Sequence, residues 1–236
     1  MANTVLVTGA AGALGSVLVR RLVSGGARVA AIDLPRSTER LDTLAKDLGG
    51  ACLALPLDIL DAAAWKSALA RVEAELGPPG GAVLVAGGWR GGTPFHAEDD
   101  SATWDHMMTS NLATVERTLR ALLPGMVARR AGSVVLVGAR PAVRPWMGAG
   151  SAAYTASKAA VVALAQAIAA EVLEERVRVN AVLPSMIDTP ANRSGMPDAD
   201  FSRWVAPESI AEVIAFLLSD AARDVSGAAI PVYGRS

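Results

Sequence analysis

Cysteine is nearly absent from this sequence, and its scarcity excludes the small disulfide-stapled proteins. Cys52 is the single cysteine in 236 residues, so no internal disulfide can form and a reducing compartment is favoured. The two histidines, His96 and His106, lack the cysteine or carboxylate spacing of a metal site. We therefore expect no bound metal, and a chain of this length can bury a core large enough to fold without one.

An excess of either charge is also absent, as are long apolar runs. The chain has 22 basic and 23 acidic residues, whereas nucleic-acid binding requires a basic excess on one face. Although 52% of the residues are hydrophobic, runs such as 134–137 fall far short of the roughly 20 residues that span a bilayer. The amino terminus lacks the basic segment of a signal peptide. We expect a cytoplasmic protein with a small-molecule substrate, no nucleic acid and no membrane.

Short apolar runs alternate with stretches of helical length along the whole chain. Runs that are almost continuously apolar are typical of parallel strands buried on both faces, and the alternation predicts a doubly wound α/β sheet. The predicted strands are 5–7, 29–32, 52–55, 83–85, 134–137, 177–183 and 230–232, and the predicted helices are 13–24, 38–48, 62–76, 101–129, 152–174 and 207–220. We expect one domain over residues 1–236, with a mostly parallel seven-stranded sheet and helices on both faces. Residues 184–206 lack clear periodicity and are predicted to form a mobile substrate loop.

A glycine-rich turn follows the first predicted strand. It reads TGAAGALGS over residues 8–16, and glycines at a strand-to-helix turn let the backbone approach a pyrophosphate at the helix N-terminus. The second strand ends in Asp33, at the distance expected for the partner of an adenosine ribose. A carboxylate there repels a 2′-phosphate, so the sequence favours NAD (NADH), while Arg36 and Arg40 leave NADP possible. An ordinary glycine-rich turn is the alternative interpretation.

A tyrosine and a lysine stand four residues apart at the start of the helix predicted over 152–174. Tyr154 and Lys158 therefore share one face of that helix. Because a nearby ammonium favours the phenolate, we expect Lys158 to lower the pKa of Tyr154 and to make it a proton donor for carbonyl reduction. A chance pair on a solvated face is the alternative, and the surrounding alanines argue against it.

The chain resembles the short-chain dehydrogenase/reductase family in an ordered set of motifs. The set comprises the glycine turn, Asp33, Asp58, Asn111, the Tyr154–Lys158 pair and the segment NAVLPSMIDTP. The resemblance covers essentially the whole chain and implies a single NAD(P)-binding domain of Rossmann type. It further implies that Tyr154 donates the proton, that Lys158 lowers its pKa and binds the nicotinamide ribose, and that Asn111 holds a relay water.

The same resemblance implies cofactor contacts and an oligomer. Asp58 would meet the adenine, and Thr189 would meet the nicotinamide carboxamide. The implied cofactor set is Gly9, Ala11, Gly12, Ala13, Leu14, Gly15, Asp33, Leu34, Asp58, Ile59, Ala86, Gly87, Gly88, Tyr154, Lys158, Pro184, Ile187 and Thr189. Family members commonly pair through two helices, and the helix over 152–174 is apolar nearly all round. We therefore expect a homodimer or homotetramer through helices 101–129 and 152–174.

The sequence departs from the family pattern at three places. Ala13 stands at the second of three glycines, LVAG over 84–87 replaces Asn-Asn-Ala-Gly, and Ala139 lies where the catalytic serine is expected. Neither Ser133 nor Ser151 is a convincing substitute, because one precedes the fifth strand and the other lies too close to the tyrosine. Loss of this hydroxyl removes a hydrogen bond to the substrate oxygen, which often costs a few kcal/mol of transition-state binding. A substrate that is easily reduced tolerates that loss.

These departures resemble the dihydropteridine reductase branch of the family. That branch has a similar glycine turn, AGGW after the fourth strand and no catalytic serine, and it is similar to the stretch IDTPANRSGMPDADFSRW over 187–204. The implied activity is NADH-dependent reduction of a quinonoid dihydropterin. Two alternatives stay open: a general alcohol or carbonyl dehydrogenase/reductase of the same family, and an NAD(P)-binding regulator or sensor that has lost its chemistry.

Three tryptophans are expected beyond the carboxyl ends of the strands, where ligands bind in open α/β sheets. They are Trp89, Trp146 and Trp204. Together with Ala139 they are our candidate substrate contacts, because flat rings can stack on a planar heterocycle; covering the sheet edge is the alternative. Arg140 and Arg144 also follow the fifth strand, and we favour a solvated loop face over contact with an acidic or polar substrate.

Overall fold

The computed structural model describes residues 4–235, which fold around one sheet of seven strands. The strands are β1 (Thr4–Thr8), β2 (Arg28–Asp33), β3 (Cys52–Pro56), β4 (Gly81–Leu84), β5 (Gly132–Val137), β6 (Val177–Pro184) and β7 (Ala229–Val232). They lie in the order β3-β2-β1-β4-β5-β6-β7, and every neighbouring pair is parallel. Every residue of β1 and β4 is buried, as continuous apolar runs require. The predicted α/β sheet is therefore confirmed.

Helices cover both faces of this sheet. They are α1 (Ala13–Ser24), α2 (Thr38–Leu48), α3 (Ala62–Leu76), α4 (Ala102–Met107), α5 (Thr114–Arg129), α6 (Ala152–Glu171), α7 (Pro190–Gly195) and α8 (Pro207–Leu218). Buried side chains of α1, α2 and α8 form one core with one face of the strands, and those of α3, α5 and α6 form a second core with the other. Since alternate residues of a strand point to opposite faces, the two cores share the strands between them.

The strand order places a crevice between β1 and β4. The chain builds outward from β1 to β3 and then returns to place β4 on the other side of β1. In open parallel sheets, ligands bind beyond the carboxyl ends of the strands at such a reversal. The segments that follow β1, β4, β5 and β6 therefore border one crevice.

The helix predicted over 101–129 is interrupted, and this part of the prediction is wrong. A π-helical segment, Met108–Ala113, separates α4 from α5. The apolar pattern continues across the interruption, so the periodicity of the sequence did not predict the wider π-helical turn. Such turns are frequent at functional sites. The helix predicted over 152–174 ends earlier, at Glu171, and Arg176 takes a left-handed φ of 57° before β6 begins.

Residues 184–206 carry local structure that their lack of periodicity did not predict, and the mobility predicted for this substrate loop stays a prediction. The segment contains α7, and an isolated parallel bridge joins Ile187 to Val205 across it. Arg193 donates two hydrogen bonds to the Asp188 carboxylate, at 2.6 and 2.7 Å. These contacts join residues that lie up to 18 positions apart, which is why no short-range pattern in the sequence predicted them.

The helix α6 is long and apolar enough to cross a membrane by length and composition alone. Its inner side packs against the sheet, where Val161, Ala165 and Ala169 are almost inaccessible. Ala163, Ala167 and the residues around them stay on the outer side. The apolar character of the inner side is accounted for by its place in the core, and the outer side is uncovered in the single chain.

Candidate active site

Close backbone approaches shape the glycine-rich turn between β1 and α1. Gly9 has a φ of 66°, and a Cβ there would lie 2.9 Å from the backbone nitrogen of Ala86. A Cβ at Gly15 would collide with the Gly9 carbonyl oxygen. Gly12 is the N-cap of α1 and provides no side-chain cap, so the first amides of the helix are left for another acceptor. This geometry suits an anionic group at the helix N-terminus.

Asp33 holds the same turn from the end of β2. Its carboxylate accepts hydrogen bonds from the backbone nitrogens of Ala11, at 3.0 Å, and Leu34, at 2.8 Å. A carboxylate has about four acceptor positions, so about two are left for ribose hydroxyls. Among the described ion pairs none involves Asp33, and Arg40 donates instead to the Ser37 hydroxyl at 2.8 Å. The negative charge of Asp33 is therefore available to repel a phosphate.

Asp58 and Ile59 lie just beyond β3, on the Asp33 side of the crevice. The backbone nitrogen of Leu57 donates to the Asp33 carbonyl oxygen at 2.8 Å, which joins the two segments. Asp58 is exposed, and its Oδ1 accepts from the backbone nitrogen of Leu60 at 3.0 Å. Ile59 is buried. This end of the crevice therefore presents two carboxylates whose orientations are fixed by backbone amides.

Lys158 and Tyr154 lie on one side of the first two turns of α6. Lys158 is buried, and its Nζ donates to the Val137 carbonyl oxygen at 2.8 Å. Burial lowers the pKa of Lys158 from 10.5 to about 8 and raises the pKa of Tyr154 from 10.0 to about 12. The expectation of a Tyr154 pKa below its ordinary value is therefore wrong. Desolvation of the phenol outweighs any attraction to the amine.

Asn111 lies in the π-helical segment and is fully buried. Its Oδ1 accepts from the Gly88 nitrogen at 2.9 Å, and its Nδ2 donates to the Gly88 carbonyl at 3.1 Å. A Cβ at Gly87 would collide with Asn111 Oδ1 and lie 3.5 Å from Lys158 Nζ. The glycines after β4 therefore allow the asparagine and the lysine to come together under the loop that follows that strand.

Ser157 links these groups and was not among the predicted site residues. Its hydroxyl accepts from Asn111 Nδ2 at 3.0 Å and donates to the Tyr154 carbonyl oxygen at 2.8 Å. Because the Ser157 hydroxyl contacts both the Asn111 side chain in the π-helical segment and the Tyr154 backbone in α6, it positions Asn111 relative to the tyrosine. The signal that could have found it is its place on α6, three residues after Tyr154 and one before Lys158.

Ala139 occupies the position expected for the catalytic serine, and neither Ser133 nor Ser151 supplies a free hydroxyl in its place. Ala139 is 4% exposed, and a Cβ on the preceding Gly138 would come within 2.7 Å of Leu183. Ser133 lies at the amino end of β5, where its hydroxyl donates to the Leu217 carbonyl at 3.0 Å. Ser151 donates to the Gly148 carbonyl at 3.1 Å. Both serine hydroxyls are thus engaged with backbone carbonyls.

The predicted substrate tryptophans differ in their surroundings. Trp89 and Trp146 are 63% and 73% exposed, in the loops that follow β4 and β5. Those loops touch, because the Gly92 nitrogen donates to the Gly150 carbonyl at 2.7 Å. Trp204 instead packs its ring on Phe201, with centroids 4.8 Å apart. Trp89 and Trp146 are thus open to a ligand, whereas Trp204 helps to hold the 184–206 segment together.

The predicted contacts after β6 lie at the base of the same segment. Pro184 ends the strand and is buried, and Ile187 forms the bridge to Val205. The Thr189 hydroxyl accepts from the Asn192 nitrogen at 3.2 Å and so caps α7. The remaining predicted cofactor residues, Ala13 and Leu14, lie at the start of α1, where Ala13 is exposed and Leu14 buried.

Comparison with known proteins agrees with this arrangement. Residues 3–200 match the family model of the short chain dehydrogenases. The chain belongs to the short-chain dehydrogenase family. This short-chain dehydrogenase is 34% identical over 209 residues to 2,3-dihydro-2,3-dihydroxybenzoate dehydrogenase of Bacillus subtilis, covering 88% of this chain and 76% of the relative. It is 30% identical over 237 residues to a 3-oxoacyl-[acyl-carrier-protein] reductase of Salmonella typhimurium, covering 97% and 95%.

Two solved structures are similar over almost the whole chain. A short-chain oxidoreductase from Burkholderia thailandensis has a TM-score of 0.86 and 34% identity, covering 99% of this chain and 92% of its own. A 3-ketoacyl-(acyl-carrier-protein) reductase from Brucella melitensis complexed with NADH has a TM-score of 0.85 and 28% identity, covering 99% and 98%. The family binds NAD(P), and the residues of this short-chain dehydrogenase fit such a cofactor. The uncapped helix start at Gly12 suits the pyrophosphate, and the free acceptor positions of Asp33 suit a ribose.

Proposed function

We propose that this short-chain dehydrogenase reduces a carbonyl or quinonoid substrate with NADH, and that Tyr154 is the proton donor. The observation that carries the proposal is the link from the buried Asn111 side chain through Ser157 to the Tyr154 backbone. Lys158 Nζ lies beside the same loop, 3.5 Å from a Cβ built on Gly87. When bound, the dinucleotide supplies a hydride to the substrate. The Tyr154 hydroxyl then gives one proton to the substrate oxygen or ring nitrogen, so that one hydride and one proton complete the reduction.

The buried amine of Lys158 is what makes the phenol usable as a donor. A phenol with a pKa near 12 gives up its proton reluctantly, and the phenolate that remains needs a positive charge close by. With a pKa of about 8, Lys158 is charged at neutral pH. Its hydrogen bond to the Val137 carbonyl keeps the ammonium next to the site. We propose further that Asn111 holds a water that returns the proton to Tyr154.

For the substrate itself we propose a quinonoid dihydropterin. The stretch over 187–204 and the loop after β4 support this proposal, as does the alanine at 139, since a quinonoid ring gains aromatic-like stabilisation on reduction and needs less help from hydrogen-bond donors. The two curated relatives reported above are named for other substrates, so a general carbonyl substrate is the second candidate. The deciding test is NADH oxidation with a quinonoid dihydropterin against a panel of ketones and aldehydes. Tight NADH binding without turnover on either set would favour a regulator or sensor.

We propose a preference for NADH because of the Asp33 carboxylate. The variant Asp33→Asn keeps an acceptor for the Ala11 or Leu34 amide and removes the charge that repels a 2′-phosphate, an interaction of about 4 kcal/mol for unit charges 4 Å apart at a partly screened surface. We expect the ratio of kcat/KM for NADH over NADPH to fall at least tenfold. Steady-state kinetics with both cofactors measure it. The control is Asp42→Asn, which removes an exposed carboxylate from α2 and should leave the ratio unchanged.

We propose that the protein forms a homodimer or homotetramer in which a second subunit covers the outer face of α6. The cytoplasmic location stays a prediction. Ala163 and Ala167 are exposed on a helix whose inner side is already packed. We expect light scattering at micromolar concentration to give a dimer or tetramer, and Ala167→Arg to give a monomer, because a charge buried without a partner opposes association. Ala70→Arg, at an exposed position of α3, is the matched control. A wild-type monomer would contradict the proposal.

A further inference from the structure

Two arginines flank a single aromatic ring close to the candidate site. The guanidinium carbon of Arg140 lies 5.6 Å from the centroid of the Tyr233 ring, and that of Arg144 lies 5.3 Å from it. Within residues 4–235, neither arginine forms an ion pair with a carboxylate. The aromatic ring attracts both cations, and no carboxylate among the described residues neutralises either of them.

The two arginines lie at the substrate end of the crevice. Arg140 directly follows Ala139, and the short turn Arg140–Ala142 packs against the Tyr154 helix α6. Tyr233 directly follows β7, and its carbonyl oxygen accepts from the Ser185 hydroxyl at 2.7 Å, at the start of the 184–206 segment. Arg144 precedes the exposed Trp146 by two residues. The pair therefore borders the space between the tyrosine helix and that segment.

The chemistry of this cluster selects for an oxyanion. A guanidinium offers a planar fork of N–H donors that matches a carboxylate or phosphate, and charge-assisted hydrogen bonds are the strong ones. Both side chains retain unused donors, because no hydrogen bond of either guanidinium occurs among the described residues. An anion also supplies the counter-charge that both arginines lack among the described residues. A neutral ligand does neither.

We propose that Arg140 and Arg144, held by the Tyr233 ring, form an anion subsite, so that the substrate, whether a dihydropterin or another carbonyl compound, carries a carboxylate or phosphate on a side chain remote from the bond that is reduced. The subsite rests on the proposed function, because it belongs to the same active site and specifies the class of substrate. Binding energy from such a remote group improves capture of the substrate without altering the reacting atoms. The two arginines therefore determine which substrates bind, and Tyr154 remains the proposed proton donor.

The direct test is binding, measured by tryptophan fluorescence on the full-length protein with NADH present. The probes are benzoate, phenyl phosphate and the neutral analogue benzamide, and the two anions distinguish a carboxylate subsite from a phosphate subsite. We expect at least one anion to bind at least tenfold more tightly than benzamide. Arg140→Gln and Arg144→Gln should each weaken the binding of that anion at least tenfold and leave benzamide unchanged, and the preference should shrink at high ionic strength. Arg223→Gln, which removes an exposed arginine paired with Asp224, is the matched control and should change nothing.

A second readout separates this proposal from the proposed function. With 4-formylbenzoate and its methyl ester as substrates, the arginine variants should raise KM for the acid at least tenfold, with kcat and the ester almost unaffected. Equal binding of benzoate, phenyl phosphate and benzamide to the wild type, or an equal loss for acid and ester in the variants, would overturn the anion subsite. Absence of any turnover together with an intact anion preference would instead contradict the proposed reaction and leave the subsite standing.

Discussion

The variant Tyr154→Phe should lose reduction almost completely while NADH affinity stays nearly unchanged. Phenylalanine keeps the aromatic ring at position 154 and removes only the hydroxyl to which we assign the proton transfer. A positioned general acid contributes about a hundredfold to ten-thousandfold to the rate, so we expect kcat to fall within that range. We expect a fall in kcat near the upper end of this range, because position 139 is an alanine and provides no hydroxyl to hydrogen-bond the substrate oxygen.

The measurement is single-turnover NADH oxidation, with NADH affinity measured separately by fluorescence. Thr155→Val is the matched control: it changes the neighbouring residue, whose buried hydroxyl has no hydrogen-bond partner, and it preserves the branched shape of the side chain. We expect Thr155→Val to keep wild-type activity. If Tyr154→Phe kept more than a tenth of the wild-type rate, the proton would have to come from another group.

The variant Lys158→Met should make the protein more stable and much less active. Lowering the pKa of Lys158 from 10.5 to about 8 corresponds to about 3 kcal/mol of unfavourable free energy for holding the charged amine in the folded state. Methionine has a similar length and no charge, but it loses the hydrogen bond to the Val137 carbonyl, which costs about 1 kcal/mol. The relief of desolvation outweighs that loss, so we expect a gain of about 2 kcal/mol near neutral pH.

The gain should depend on pH in one direction. Because the folded-state pKa is below the unfolded-state value, the unfolded chain binds more protons between about pH 8 and pH 10.5, and wild-type stability from this group rises across that window. The advantage of Lys158→Met is therefore full below about pH 8 and disappears towards about pH 10. Urea unfolding of both proteins at neutral and alkaline pH measures this, with Lys66→Met as a control at an exposed lysine of α3. A variant that is less stable than wild type at neutral pH would show that the amine is well solvated in the folded protein.

The same variant separates the two roles that we assign to Lys158. If the amine binds the cofactor ribose and also assists Tyr154, Lys158→Met should weaken NADH binding as well as lower kcat, whereas Tyr154→Phe should lower kcat alone. A buried charge retained against stability is expected where function needs it. Higher stability and lower activity in one variant would therefore identify Lys158 as a functional residue.

The predictions from sequence were most accurate where a signal is local. The bounds of α1, α2 and α3 agree with the predicted ranges, and all seven strands occur where apolar runs predicted them. They were wrong where a contact between distant residues decides the local structure. The π-helical segment at 108–113 places Asn111 against Gly88 and Ser157, residues that lie 23 and 46 positions away. The bridge from Ile187 to Val205 likewise orders a segment that has no periodicity of its own.

The sequence by itself determined the order of strands and helices, the glycine turn beside Asp33, and the four-residue spacing that puts Tyr154 and Lys158 on one helical face. These follow from hydrophobic period and backbone geometry, which act over a few residues. Only the tertiary structure decided the surroundings of each charge. It buried Lys158 beneath the Val137 carbonyl, raised the pKa of Tyr154, and set Arg140 and Arg144 around Tyr233, about 90 residues further along the chain. Desolvation and charge pairing depend on which distant elements pack together, and packing is a property of the whole fold.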